Sequence, residues 1–201
     1  MIGFDPASLL TFVWNYLPWS VRMSAFLGGG AFRSLYDQTT IKDFDLFFPT
    51  HGDFLAARDA FDSDEEFSRV ENEGDALYPC YVHKDLPNTP FNLIGFRHHA
   101  DMLELAESFD FRCCGFAGYV FAGEAKFCAV PGAEDDARDR KLRVMNPQAA
   151  PRFLRRARRY VETYGYDFID ETLIDSRYEV YARRLPQTCP QGHPSGSSGD
   201  R

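Results

Sequence analysis

Leu27-Gly28-Gly29-Gly30-Ala31-Phe32-Arg33-Ser34-Leu35, followed after a short interval by Lys42-Asp43-Phe44-Asp45-Leu46-Phe47-Phe48-Pro49, is the stretch that decides the fold. Residues two apart on a strand project from one face. Asp43 and Asp45 are therefore expected to point together, roughly 6–7 Å apart along the strand. Phe44, Leu46 and Phe48 point the other way, into a core. Two acids side by side are unfavourable unless something neutralises them. A divalent cation does so, and Mg2+ takes one or two carboxylates together with phosphate oxygens. Gly28, Gly29 and Gly30, set between a strand and a helix, let backbone N–H groups approach phosphate. A phosphate-binding turn beside a metal-binding strand assembles what phosphoryl or nucleotidyl transfer requires.

On either side the pattern alternates. Asp5-Pro6 ahead of Leu9, Leu10, Val13, Tyr16 and Leu17 reads as a capped helix closed by Pro18. Met23 to Leu27 reads as a strand, Ala31 to Asp37 as a short helix, and Asp43 to Phe48 as the second strand. Helix is expected over Phe54–Phe61, then an acidic, weakly periodic stretch through Asp75. Phe91–Arg97 reads as a third strand and Ala100–Glu107 as a helix. Phe116–Phe121 and Lys126–Val130 flank Ala122–Ala125 as a hairpin. Pro151 opens a helix that runs to about Tyr164 and stops at Gly165. Such alternation predicts an α+β fold, a small mixed sheet flanked by helices. The expected division is a head over residues 1–135, a basic helical segment over 136–185 packed on it, and a Gln/Pro/Gly/Ser-rich disordered tail over 186–201.

The bulk numbers narrow the class. Nineteen phenylalanines in 201 residues argue for a packed core and against disorder. No run of about eighteen apolar residues is present, and Met1–Pro6 shows no basic region ahead of an apolar stretch, so a cytoplasmic protein without a membrane span is expected. Cys80, Cys113, Cys114, Cys128 and Cys189 form no CxxC pair and are expected as reduced, mostly buried thiols. His98-His99 is expected at the surface, and Lys84-Asp85 and Asp135-Asp136 as loop charges.

The net charge of −8 is unevenly spread. Arg138 to Arg159 holds nine Arg or Lys against Asp139 alone, +8, which leaves −16 for the remainder. One basic element on an acidic body is a local patch for a polyanion, either a triphosphate or a nucleic-acid backbone. At 100° per residue, Phe153, Leu154, Ala157, Tyr160, Val161 and Tyr164 share one face, and Arg152, Arg155, Arg156, Arg158 and Arg159 the other.

With these residues in view, the glycine turn, Arg33 and Asp43-Phe44-Asp45 resemble the head domain of poly(A) polymerases and tRNA CCA-adding enzymes, within the polymerase-β-like nucleotidyltransferases. Those heads carry a strand, Gly-Gly, a helix bearing Arg, about a dozen residues, then Asp-x-Asp. Twelve residues, Ala31 to Lys42, fill that interval here, and Ser34 replaces the Asp that commonly follows the arginine. Asp110-Phe111-Arg112-Cys113-Cys114-Gly115-Phe116-Ala117 is similar to the family's Arg-Asp-Phe-Thr-x-Asn-Ala segment, with Phe109 in place of Arg and Cys114 in place of Asn. Arg152-Phe153-Leu154-Arg155-Arg156-Ala157-Arg158 resembles the Arg-x-Leu-Arg-x-x-Arg helix that follows the head.

The resemblance implies Asp43 and Asp45 as catalytic, metal-holding residues. It implies Gly28, Gly29, Gly30, Arg33, Lys42, Asp110, Arg152 and Arg155 as the nucleotide-binding set, with Mg2+ or Mn2+ as cofactor and an NTP as substrate. The expected activity is NMP transfer to a hydroxyl acceptor, an RNA or tRNA 3′ end being the expected partner, with pyrophosphate released. Such sites usually hold a third carboxylate on a neighbouring strand; Phe91–Arg97 offers Asn92 there, and Asp110 is the other candidate. Asn92 supplies no charge and cannot act as a base. The alternative is therefore a catalytically inactive nucleotide- or RNA-binding module of the same fold.

Overall fold

The computed structural model describes residues 5–70, 76–146 and 150–169. Part of the acidic stretch before Asp75, the end of the expected basic segment and the expected 186–201 tail lie outside these residues. Helix α1 (Pro6–Tyr16) starts at Asp5, whose carboxylate accepts the Ser8 amide at 2.7 Å, with Pro6 pre-set for the first turn. A 3-10 turn (Val21–Met23) leads to β1 (Phe26–Gly28), α2 (Gly30–Tyr36) and β2 (Phe44–Phe48). Next come α3 (His51–Ser63), β3 (Phe67–Val70), β4 (Cys80–His83) and β5 (Phe91–His98). The chain continues through α4 (Met102–Glu107), β6 (Phe116–Phe121), β7 (Glu124–Ala129), α5 (Ala133–Arg138) and β8 (Lys141–Arg143). Helix α6 (Ala150–Tyr164) and β9 (Asp167–Ile169) complete it.

Seven strands form one sheet in the order β3-β4-β5-β2-β1-β6-β7, with β2 and β5 its parallel pair and the other neighbours antiparallel. Strands β8 and β9 make a small parallel pair of their own. Phe44, Leu46 and Phe48 are buried, as their alternation predicts, with Phe44 against Phe12 of α1 and Phe48 against Phe54 of α3. The opposite face of β2 carries Asp45 and Phe47, and Phe47 packs edge-on against Phe109 and His99. The mixed α+β sheet flanked by helices is thus the architecture expected from the sequence.

Several local expectations are corrected. Met23 is 65% exposed on the 3-10 turn, and the strand starts three residues later, at Phe26, where alternate burial begins. Strands β3 and β4 lie in or beside the stretch read as weakly periodic; Phe67 and Tyr81 are buried there against Phe61 of α3. A residue count of charge hid that core contact. The hairpin turns at Ala122-Gly123, both with positive φ, so β7 begins at Glu124 rather than Lys126. His99 is buried beneath Phe47, not at the surface. Asp136 is not a loop charge: it is buried on α5 and accepts Arg112 at 2.7 and 2.9 Å and Arg143 at 3.3 Å.

Gly95 shows how closely β5 lies on α3. A Cβ there would stand 2.5–2.7 Å from three atoms of the Phe54 ring. Gly95→Ala is expected to cost about 1–3 kcal/mol through overpacking, read as a lower urea midpoint at unchanged slope. An unchanged midpoint would mean that Phe54 yields without cost.

Candidate active site

Strand β2 lies between β1 and β5, and its register places the site. Asp45 pairs with Gly28 on one side and with Asn92 on the other. Directly paired residues share a face, so all three face the cavity side of the sheet. Asn92 stands where the sequence offered a third carboxylate, and its Nδ2 donates to Asp45 Oδ1 at 2.9 Å. Tyr78 lines the same cavity and opposes the rise of the Asp45 carboxyl. Asp43 lies one residue before the strand, half-buried, and reaches the same cavity.

The cavity has a volume of about 430 Å3, within the range of small-molecule sites. Asp43 and Asp45 are its acids, and Arg33, Lys42, Arg97, Arg152, Arg155, Arg156 and Arg159 its cations. Burial first, and then the neighbouring Asp43, push the Asp45 carboxyl up to about 6. Among the described residues no cluster of three or more His, Cys, Asp or Glu is arranged to hold a metal. Two carboxylates with phosphate oxygens are nevertheless a fitting donor set for Mg2+. The crowding that raises Asp45 is what a cation would relieve. Asn92 spends its N–H on Asp45 and so holds that carboxylate in place.

Of the glycines, Gly30 lines the cavity. Gly29, at φ +70°, donates its N–H to the Phe116 carbonyl at 3.0 Å, inside the sheet. A Cβ at Gly28 or Gly29 would meet the Phe109 ring at 3.0 or 2.8 Å. The first two glycines therefore leave room for Phe109 across the turn, and Gly29 spends its N–H inside the sheet. Local spacing did not show this, because Phe109 arrives from eighty residues downstream.

Arg33 is 4% exposed, yet it lines the cavity. Its guanidinium carbon lies 5.1 Å from the Tyr160 ring and 4.4 Å from that of Tyr164, Nη2 donates to Ser34 Oγ at 3.1 Å, and Nη1 faces Asp37 at 3.5 Å. Nε and Nη1 have no hydrogen-bond acceptor among the described residues. Lys42 Nζ lies 4.9 Å from the Tyr164 ring. The Cys114 thiol and Tyr160 hydroxyl, 2.8 Å apart, hold Tyr160 from below. Arg152 and Arg155 are exposed and line the cavity.

Two placements differ from the sequence reading. Asp110 is buried outside the cavity lining and pairs with Arg156 at 3.2 Å, without hydrogen-bond alignment. Burial raises its carboxyl, opposed chiefly by Arg156. Arg156, placed by helical period on the basic face, turns toward the buried Asp110 and pairs with it. Tyr78, Phe96, Arg97, Phe109 and Arg159 also line the site and were not singled out. Tyr160 and Tyr164, four apart on α6, were read as packing alone; a buried arginine elsewhere was the missing signal.

The fold is like that of CCA-adding enzymes of known structure. A CCA-adding enzyme in apo form I superposes with a TM-score of 0.64 at 16% identity, over 90% of this chain and 45% of that one. A CCA-adding enzyme with ATP gives 0.62 at 13%, over 90% and 43%, and the Thermotoga maritima CCA-adding enzyme complexed with tRNA-CCA gives 0.57 at 14%, over 91% and 45%. The chain spans less than half the length of these structures, and at such identities the likeness is one of fold. The chain belongs to the Gabija anti-defense 2 family, whose profile matches residues 10–129, more than half its length. No curated protein matches it. Among the described residues no helix is long and apolar enough to cross a membrane.

Proposed function

We propose that this protein is a metal-dependent nucleotidyltransferase that transfers NMP from an NTP to a hydroxyl acceptor, an RNA end. The observation that carries this reading is Asp45, in register with Gly28 and Asn92, and Asp43 two residues before it, inside a cavity whose other charged lining residues are all cations. Asp43 and Asp45 would hold Mg2+ or Mn2+, which supplies charge neutralisation at the phosphates and at the attacking and leaving oxygens. Arg33, fixed between two tyrosines with donors unfilled, and Lys42 beside Tyr164 are the groups for the triphosphate. Asn92 orients Asp45 through its hydrogen bond. The acceptor oxygen bonds to the α-phosphorus, the bond from that phosphorus to the β-phosphate's bridging oxygen breaks, and pyrophosphate leaves. The hydroxyl proton passes to solvent. Rate enhancement by this chain comes from positioning and fixed charge.

The ATP, CTP and tRNA of the solved CCA-adding enzymes support an NTP and an RNA end as partners. The family description sets the activity against the Gabija defence. A second reading, a nucleotide- or RNA-binding module without turnover, draws on Asn92 standing in the third carboxylate's place. Pyrophosphate release from each of the four NTPs with Mg2+, with and without total RNA, decides between them. Release that requires RNA and is lost in Asp43→Asn/Asp45→Asn is the expected result and names the nucleotide. Nucleotide binding without release, unaffected by Mg2+ and by the aspartate changes, leaves the binding module.

A further inference from the structure

A transfer with two substrates needs a binding surface on each side of the carboxylates, and the sheet order supplies two different ones. On the β1 side stand Arg33 and Lys42, with Tyr164 above them. On the β5 side stand Tyr78, Phe96, Arg97 and Arg152. Arg152 and Tyr164 lie twelve residues apart on α6, about 18 Å along its axis. Resting on the transfer reading above, we propose that the β5 side is the acceptor seat and takes a single-stranded nucleic-acid end, with its terminal base on the Phe96 platform and its phosphodiesters on Arg97 and Arg152.

Phe96 is 36% exposed at the cavity wall, an arrangement that its own fold does not require. The Arg152 and Arg97 guanidinium carbons lie 5.1 and 5.6 Å from its ring centre, and Tyr78 lies alongside at 6.2 Å with planes 34° apart. Flat aromatic and guanidinium surfaces together bind bases by stacking without reading their edges, and cations beside them follow the backbone. Burial first and then Arg152 lower the Arg97 pKa, with Asp110 opposing and Arg156 adding to the shift. Tyr78 lines the cavity together with Asp43 and Asp45, so this wall adjoins the carboxylates. Such a surface suits a strand of any sequence. An acidic protein segment would match the charge and leave the aromatic platform unused.

The test is fluorescence anisotropy of 5′-labelled single-stranded RNA and DNA dodecamers, without NTP, on the full chain, with ATP affinity measured beside it by calorimetry. Phe96→Ala is expected to weaken strand binding about tenfold or more, with ATP affinity within about twofold of wild type. Phe96→Trp should bind as wild type, and Arg152→Ala should reduce the salt slope by about one. The RNA and DNA arms identify the sugar. Undiminished strand binding by Phe96→Ala, a blunt duplex bound equally well, or ATP binding with no strand bound overturns the proposal, the last pointing to a protein acceptor. Strand binding that depends on Phe96, with no pyrophosphate released from any NTP, defeats the transfer reading and leaves the platform standing.

Discussion

Asp45→Asn is expected to abolish pyrophosphate release, by about a thousandfold or more, and at the same time to raise the melting temperature of the metal-free protein at pH 8. The two effects share one cause. In the unfolded chain this carboxyl ionises near its ordinary value of 3.8; in the fold, burial and then Asp43 hold its proton up to about 6. Between those values the folded state binds more protons, so metal-free stability falls as pH rises from about 4 to 6 and stays lower above. Two pH units correspond to about 3 kcal/mol. Solvent at this half-buried group reduces that to roughly 1–2 kcal/mol. Asparagine can still accept from Asn92 and carries no charge, so the cost disappears. Melting scans at pH 4.5 and pH 8 without divalent ions check this, with the variant's advantage expected at pH 8 and much reduced at pH 4.5. Added Mg2+ should raise the wild-type midpoint and leave the variant's unchanged. Retained turnover would remove Asp45 from the mechanism, and a lower midpoint at pH 8 would show that the fold already compensates its charge.

Arg156→Met is expected to destabilise the fold by about 3–5 kcal/mol, the cost of leaving a buried charge unpaired. Asp110 has no exposed side-chain surface, and Arg156 is the cation facing it at 3.2 Å. Arg156 is also the first influence opposing the burial that raises the Asp110 carboxyl, so its removal raises that group further. A raised folded-state pKa makes the deficit grow as pH rises and shrink in acid. Urea unfolding at pH 5 and pH 8 should therefore show the larger loss at pH 8. Asp110→Asn in the same chain should recover most of it. Equal losses at both pH values would mean that Arg156 matters for packing and not for charge.

Much of the site was legible along the chain because strand geometry is local. Asp43 and Asp45 follow from a period of two, as does the burial of Phe44, Leu46 and Phe48. The neighbouring position of Asn92 could be named because Phe91–Arg97 is itself a clear apolar run. The glycine turn was only partly legible for a physical reason: an absent Cβ signals close approach without saying by what. Here the approaching group is the Phe109 ring, and of the three glycines Gly30 lines the cavity. The basic helix was read as two faces, and Arg156, on the basic one, turns toward a buried carboxylate within its reach.

By itself the sequence determined the α+β class, the carboxylate pair, the capped first helix and the concentration of positive charge between Arg138 and Arg159, since period, capping and composition are properties of neighbours in the chain. Tertiary structure alone decided that Asp45 is held by Asn92, that Arg33 lies between Tyr160 and Tyr164, and that Phe96, Arg97 and Arg152 form one wall. Those contacts join segments from 47 to 131 residues apart, excepting the adjacent Phe96 and Arg97. Distances of that kind are set by sheet order and helix packing, which no local pattern encodes.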